Sequence, residues 1–138
     1  MQTFLPYPDF AETAKVLDMK RLGKQRVEAM QIANCIAGGR IGGWSNHPAV
    51  RMWDGHLEWL IDYSVAICTE WKGRGYKDTC QERIEALRGL QSPTEGPEWL
   101  GDNRLHASHR SKLLMKKPDH YNQFGWTEPD DMDYWWPV

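Results

Sequence analysis

Glycine and proline cut this chain into helix-length pieces, and the apolar residues between the cuts recur at three- and four-residue intervals. Pro8-Asp9 suits a helix start, and Phe10, Ala14 and Leu17 follow at i, i+4 and i+7. The spacing predicts a helix that continues through residues 17–28, or kinks near Asp18, and stops at Gly38-Gly39. Pro48 stands where a first helical residue belongs, with Asn46 or His47 as its cap. The next helix is expected to run to about Lys72. Val50, Trp53, Leu57, Leu60, Ser64, Ile67 and Trp71 form one apolar face of it, and Met52, Trp59 and Ala66 a second, which suits a central position. Gly73 and Gly75 stop it. Thr79 to Glu82 matches a capping box ahead of a short helix carrying Ile84, Leu87 and Leu90. A loop over 91–98 and an anchoring turn at Trp99-Leu100-Gly101 lead to a last helix from about Asn103 to Lys117, ended by Pro118. The tail from Asp119 to Val138 is aromatic and acidic and has no helical period. Trp135, Trp136 and Val138 are expected to pin it to the body. The pattern predicts an all-α, compact single-domain bundle of about four helices over 1–138, with long ordered loops and an aromatic C-terminal tail.

Composition narrows the class. Of 138 residues, 41% are hydrophobic, enough for a core, and 26% are charged, ordinary for a soluble protein. No apolar run is long enough to span a bilayer and no signal-peptide pattern opens the chain, so no membrane partner and a cytoplasmic, monomeric protein are expected. The three cysteines have no motif spacing, and Cys35 and Cys68 fall in apolar helical patterns as buried thiols. A formal net charge of −2 argues against indiscriminate binding to nucleic acid but allows a local basic face. Eight tryptophans are more than such a core needs, and the surplus invites a stacking role.

The densest positive charge lies in residues 17–28. On a helix, Arg21, Lys24, Gln25 and Glu28 share a face, with Leu22, Val27 and Met30 as core contacts. Clustered cations repel one another, and a partner anion would offset that. Gly23 weakens a helix by about 1 kcal/mol relative to Ala, which makes sense where something must approach the backbone closely. A plain solvated basic face is the competing reading. His106, His109, Arg110 and Leu113 share a face of the last helix, with Lys112 beside them. Histidines three apart can ligate a metal, but no third ligand is spelled out and the arginine would repel a cation. An anion site and a buried polar cluster fixing the last helix to the first are the alternatives. At Asn46 to Arg51, the free N–H groups of a helix start would attract an anion, with His47 and Arg51 as added donors, or His47 is a plain cap. Tyr121, Phe124 and Trp126 could stack on bases or simply anchor the tail. No Ser–His–Asp order, phosphate loop, zinc finger or dinucleotide fingerprint is present.

In their order and spacing these stretches resemble the phage pyrimidine-dimer DNA glycosylases of the endonuclease V type and their bacterial relatives. The shared features are a short extended start, a basic helix ending in Arg26-Val27, and a long central helix ending in Arg74-Gly75-Tyr76 and Asp78-Thr79. They continue with His106-Ala107-Ser108 and Arg110, and then an aromatic tail with Tyr121 and Phe124-Gly125. The resemblance implies a compact helical DNA-repair enzyme without metal or cofactor. Its N-terminal amine attacks C1′ of the damaged nucleotide, and the resulting imine permits strand cleavage by β-elimination. Two departures stand out. Residue 2 is Gln, before which methionine is normally retained, so Met1 would supply the amine. The family's catalytic glutamate follows an arginine in the basic helix, where this chain has Gln25, with Asp18 and Glu28 as the nearest carboxylates.

The joint reading assigns catalysis to Met1, Gln25 and Glu28. It assigns DNA or phosphate binding to Arg21, Lys24, Arg26, His47, Arg51, His106, His109, Arg110 and Lys112, and base stacking to Tyr121, Phe124 and Trp126. It expects no metal and no cofactor. The expected activity is that of a DNA glycosylase, with or without abasic-site lyase action, on a damaged or modified pyrimidine. The alternatives are a non-catalytic nucleic-acid- or nucleotide-binding module on the same fold and a site for a free modified nucleotide or base.

Overall fold

The computed structural model describes residues 1–138 and contains helices only. They are α1 (Phe10–Val16), α2 (Met19–Ala37), α3 (Pro48–Trp53), α4 (Leu57–Gly73), α5 (Cys80–Glu85), α6 (Asn103–Lys116) and α7 (Pro118–Tyr121), followed by a 3₁₀ turn at Asn122–Phe124. The all-α class and the irregular aromatic tail are as the sequence suggests. No helix is long and apolar enough to cross a membrane.

Several boundaries differ from expectation, each for a local reason. The helix through the basic stretch is broken outright at Leu17 and Asp18, both extended. The Asp18 N–H donates to the Tyr121 hydroxyl, and that hydroxyl donates to the Asp18 carboxylate. Arg21 takes the same carboxylate at 3.2 Å. A buried anchor to the far end of the chain therefore replaces a helical turn. The helix expected over 48–72 is two helices, because Gly55 adopts φ 84°, a left-handed stop that a continuing helix cannot contain. The capping box at Thr79 does not form. Asp78 caps α5 instead, its carboxylate accepting from the N–H groups of Cys80 at 3.2 Å and Gln81 at 2.9 Å. That helix ends at Glu85, which leaves Leu90 in the solvent. Pro118 both ends α6 and begins α7. Val27, expected in the core, is exposed.

Helix α4 packs along α2 and α1, and the core runs from Leu17, Leu22 and Ile32 through Trp53, Leu60 and Ile67 to Ile84 and Tyr121. Gly23 lies under the Trp71 indole, where a Cβ would come within 3.0 Å of the ring. The close approach that this glycine allows is made by the chain's own tryptophan. Arg74 closes the end of α1 by donating to the carbonyls of Ala14, Lys15 and Leu17. Burial and the neighbouring Asp78 carboxylate push the Cys68 thiol up to about 12, so it is an inert core group.

The N-terminal segment is the least expected core element. Residues Gln2 to Pro6 are buried yet pair with no other strand. Buried backbone groups must find partners, and here side chains supply them. Gln25 accepts from the Phe4 N–H at 2.7 Å and donates to the Gln2 carbonyl at 2.9 Å. Tyr63 donates to the Phe4 carbonyl at 2.8 Å. His109 accepts from the Leu5 N–H at 2.8 Å, His106 donates to the Leu5 carbonyl at 2.7 Å, and Arg110 donates to the Pro6 carbonyl at 2.8 Å. The chain start is thereby laid into a groove between α2, α4 and α6.

Candidate active site

The groove opens at its N-terminal end into a pocket of about 430 Å³. Met1, Gln2 and Phe4 line one side, Lys20, Arg21, Lys24 and Glu28 of α2 the floor, and Lys116, Tyr134 and Trp136 the far side. Helical spacing explains the floor: residues 20, 21, 24 and 28 fall on one face of α2, directed at the chain start. Leu22 and Ala29 hold the opposite face in the core.

Glu28 is the only acid in the pocket. Its Oε2 accepts from the Gln2 N–H at 3.0 Å and from the Gln25 amide at 3.3 Å. Gln25 itself is 1% exposed. Its oxygen also lies 2.7 Å from the Tyr63 hydroxyl, which shares its one proton between this oxygen and the Phe4 carbonyl, so both polar atoms of the amide are engaged. Gln25 thus makes a hydrogen-bond bracket that a carboxylate could not copy, because two of its bonds are donated. It sits behind the pocket, and the catalytic place foreseen for it is taken by structure.

The pocket's cations divide by partner. Arg21 is held by Asp18, whose carboxyl burial alone would raise but which the Tyr121 and Arg21 hydrogen bonds hold below the usual range. Lys20, Lys24 and Lys116 are exposed and form no ion pair. His47 caps α3 through Nδ1, which accepts from the Ala49 N–H at 3.0 Å, so its proton resides on Nε2. Its ring lies edge-on to Trp136 at 5.9 Å, within the field of the pocket. Burial, then the N-terminal amine, lower its pKa, with Glu28 opposing, and the ring is neutral at neutral pH.

Other anticipated residues lie elsewhere. Arg26 is turned away, bonded to Asp78 at 2.6 Å and laid on the Trp71 ring at 4.5 Å. Arg110 is bonded to Glu128 at 2.8 Å, to Asn103 and to the Pro6 carbonyl. All three nitrogens of Arg110 are thus engaged, and the charge of Arg26 is matched by Asp78. His106 and His109 are buried on the N-terminal segment, which is the polar-cluster alternative, although the element fixed is the chain start and not the first helix. No group of acids, histidines and cysteines could hold a metal. Lys112 sits 5.2 Å over the Tyr134 ring, and Arg51 is exposed beyond the pocket lining. Tyr121 is fully buried and stacked against Trp126, which in turn donates to the Tyr7 hydroxyl. Phe124 packs against both of their rings. These three rings form an aromatic joint in which Tyr121 is sealed and Phe124 and Trp126 are half-buried. Sequence reasoning missed Lys20 and Lys116 as pocket cations. Lys20 was discoverable, standing four residues before Lys24, but nothing local marks Lys116 or the Tyr134 and Trp136 wall.

The arrangement brings a chain-terminal amine, one carboxylate and free ammonium groups to one opening, with a neutral imidazole at its edge. That set can support nucleophilic amine chemistry beside an anionic substrate. No curated protein and no solved structure matches the chain. Residues 1–83, which hold the amine, the bracket of Gln25 and Glu28, His47 and the Asp78 cap, match the family model of the pyrimidine dimer DNA glycosylases. As that match spans more than half of its 138 residues, the chain belongs to the pyrimidine dimer DNA glycosylase family.

Proposed function

We propose that this chain is a DNA glycosylase with abasic-site lyase action on damaged or modified pyrimidines, using the Met1 amine as nucleophile and Glu28 as acid–base group. The observation that carries the reading is the position of Glu28, hydrogen-bonded to the first peptide N–H in the pocket that Met1 lines. The same carboxylate would face the amine if Met1 were removed, because the Gln2 nitrogen is 3.0 Å away.

In the proposed reaction the neutral amine forms a bond to C1′ while the glycosidic bond breaks. The base leaves with the electron pair and takes a proton from solvent. Glu28 accepts the proton that the attacking nitrogen sheds and delivers it to O4′ as the nitrogen lone pair forms the imine and C1′–O4′ opens. The carboxylate, free again, removes a C2′ proton. The C3′–O bond breaks and the phosphate leaves with its electrons. Water then hydrolyses the imine and restores the amine. Lys20, Lys24 and Lys116 hold the flanking phosphates.

Borohydride trapping on duplexes carrying an abasic site, a pyrimidine dimer or a modified pyrimidine tests this. A covalent protein–DNA adduct with one of them is expected, and its location at the N-terminal residue by peptide mass mapping is part of the expectation. No adduct and no base release on any substrate would leave the second reading, a binding module without turnover. The presence of Gln25 at the place of the family's glutamate favours that second reading.

A further inference from the structure

Two of the three most exposed large apolar side chains sit on one loop. Ile41 is 84% exposed and Trp44 55%, both in the glycine-rich segment 38–47 between α2 and α3. The loop is fastened. Arg40 adopts φ 60°, a left-handed backbone that costs a non-glycine residue energy. Its guanidinium donates to the Ser45 carbonyl at 3.1 and 2.9 Å and to Asp54 at 2.8 Å, which ties the two sides of the tip together. Two turns shape the tip itself: the Gly42 carbonyl accepts from the Ser45 N–H at 3.2 Å, and the Trp44 carbonyl from the His47 N–H at 3.0 Å. A Cβ added at Gly42 or Gly43 would meet nothing within 4 Å, so the tip stands clear of the body.

This tip borders the amine pocket. The His47 ring meets Trp44 at 5.8 Å and Trp136, which lines the pocket, at 5.9 Å, edge-on in both cases. The surrounding charge fits a polyanion. Between Glu28 and Asp54 the chain has no acid, although its net charge is −2. Arg51, one turn beyond His47 on α3, is exposed and forms no ion pair. Phosphates answer the arginine but cannot cover an indole and a branched aliphatic side chain. The part of a duplex that can cover them is the base stack, which apolar side chains enter between adjacent steps. A tip set before DNA arrives loses little freedom on binding.

We infer that Trp44, with Ile41 of the same tip, is a wedge that enters the base stack beside the amine pocket and kinks the duplex there, while Arg51 takes a flanking phosphate. The indole replaces the stacking that it interrupts by lying on a base face. The inference rests on DNA as the substrate in the reading above, but not on the amine chemistry.

The test uses a duplex with one tetrahydrofuran residue, which has neither base nor reactive C1′, so nothing turns over. Its two ends are labelled for energy transfer. The full-length protein should bring the ends closer, as a kink of roughly 20–90° does. Trp44→Ala should lose roughly 5- to 150-fold in affinity, the range for one stacked base, and most of the kink. The slope of log K against log salt should stay the same, because no phosphate contact is removed. Trp44→Phe should restore most of the affinity and the kink. Thermal melts of both variants should match the unaltered protein, which separates the effect from unfolding. Unchanged affinity and kink in Trp44→Ala would overturn the proposal. So would a loss of affinity with the kink intact, which would put the indole outside the stack. A dimer in sedimentation that Trp44→Ala dissolves would overturn it too, by giving the tip a second copy of the chain as its cover. A protein that traps with borohydride while its Trp44→Ala variant kinks DNA normally keeps the amine chemistry and loses the wedge. A Trp44-dependent kink in a protein that never traps sustains the wedge and sinks only the amine chemistry.

Discussion

The buried N-terminal segment is gripped at two places, and the two grips differ in what surrounds them. At Leu5 the grip is a pair of histidines on α6. His109 is fully buried, its Nδ1 spent on the Leu5 N–H and its Nε2 without a partner. At Gln2 to Phe4 the grip is Gln25 and Glu28 on α2, and there the carboxylate opens onto the pocket. Both are polar pairs at helical spacing on a basic helix. The histidine pair carries the more suggestive sequence and is sealed. The amide–carboxylate pair lies on a helix that could equally be a solvated basic face, and it holds the only acid in the pocket that Met1 lines. Burial, not residue type, decides which grip can do chemistry: a sealed polar group is committed to its partner, while a half-open one keeps a lone pair for a substrate.

The largest effect that would sharpen this contrast is on turnover. Glu28→Gln preserves a carbonyl oxygen for the Gln2 N–H and removes the acid–base group. It should lower strand cleavage about 10²–10⁴-fold with little loss of DNA affinity. Its melting temperature should stay near that of the unaltered protein. If cleavage persists at the original rate, the open grip is structural like the sealed one and the comparison collapses.

The sealed grip should report itself through pH. His109 titrates near 6.5 in the unfolded chain but, held down by burial and then by His106, only near 3 when folded. Between those values the unfolded state binds the extra proton. Stability is therefore full above about pH 6.5 and falls as pH drops toward 3, by about 2 kcal/mol between pH 7 and 5 from this group alone. Burial also lowers His106, which adds in the same direction. Urea denaturation at the two pH values should show the loss, and His109→Gln should remove about that much of it. A pH dependence unchanged in the variant would place the titration elsewhere.

Much of the fold is legible in the sequence. Gly39, Pro48 and Gly75 mark real helix ends, because a left-handed or donor-less residue costs the same wherever it falls. Gly55 is not legible, since Trp53 and Leu57 carry the apolar period straight across it. Asp78 and Thr79 are both good caps, and the choice between them is made by Arg26, 52 residues away. The site is legible where it lies on α2, whose spacing puts Arg21, Lys24 and Glu28 on one face. The wall is not, because an aromatic tail has no period from which to read which rings are buried. Tyr121 and Trp136 look alike in sequence, and only the anchor on Asp18 separates them.

The smallest expected effect separates the two kinds of cation. Lys24 lines the pocket without an acidic partner, whereas Arg26, two residues on, is tied to Asp78 and Trp71. Each phosphate neutralised by the protein releases counterions and contributes about 0.9 to the slope of log K against log salt on duplex DNA. Lys24→Ala should therefore reduce that slope by about one unit and weaken binding similarly across sequences. Arg26→Ala should leave the slope unaltered, because its charge is already answered by Asp78. Its cost should appear in stability instead. Asp78, whose carboxyl burial pushes up but Arg26 and the α5 N–H groups hold below its usual range, loses its main counter-charge, and Trp71 loses its cover. A shallower slope in Arg26→Ala would mean that the ion pair opens on DNA, and that α2 offers the phosphates a cation from its turned-away face as well.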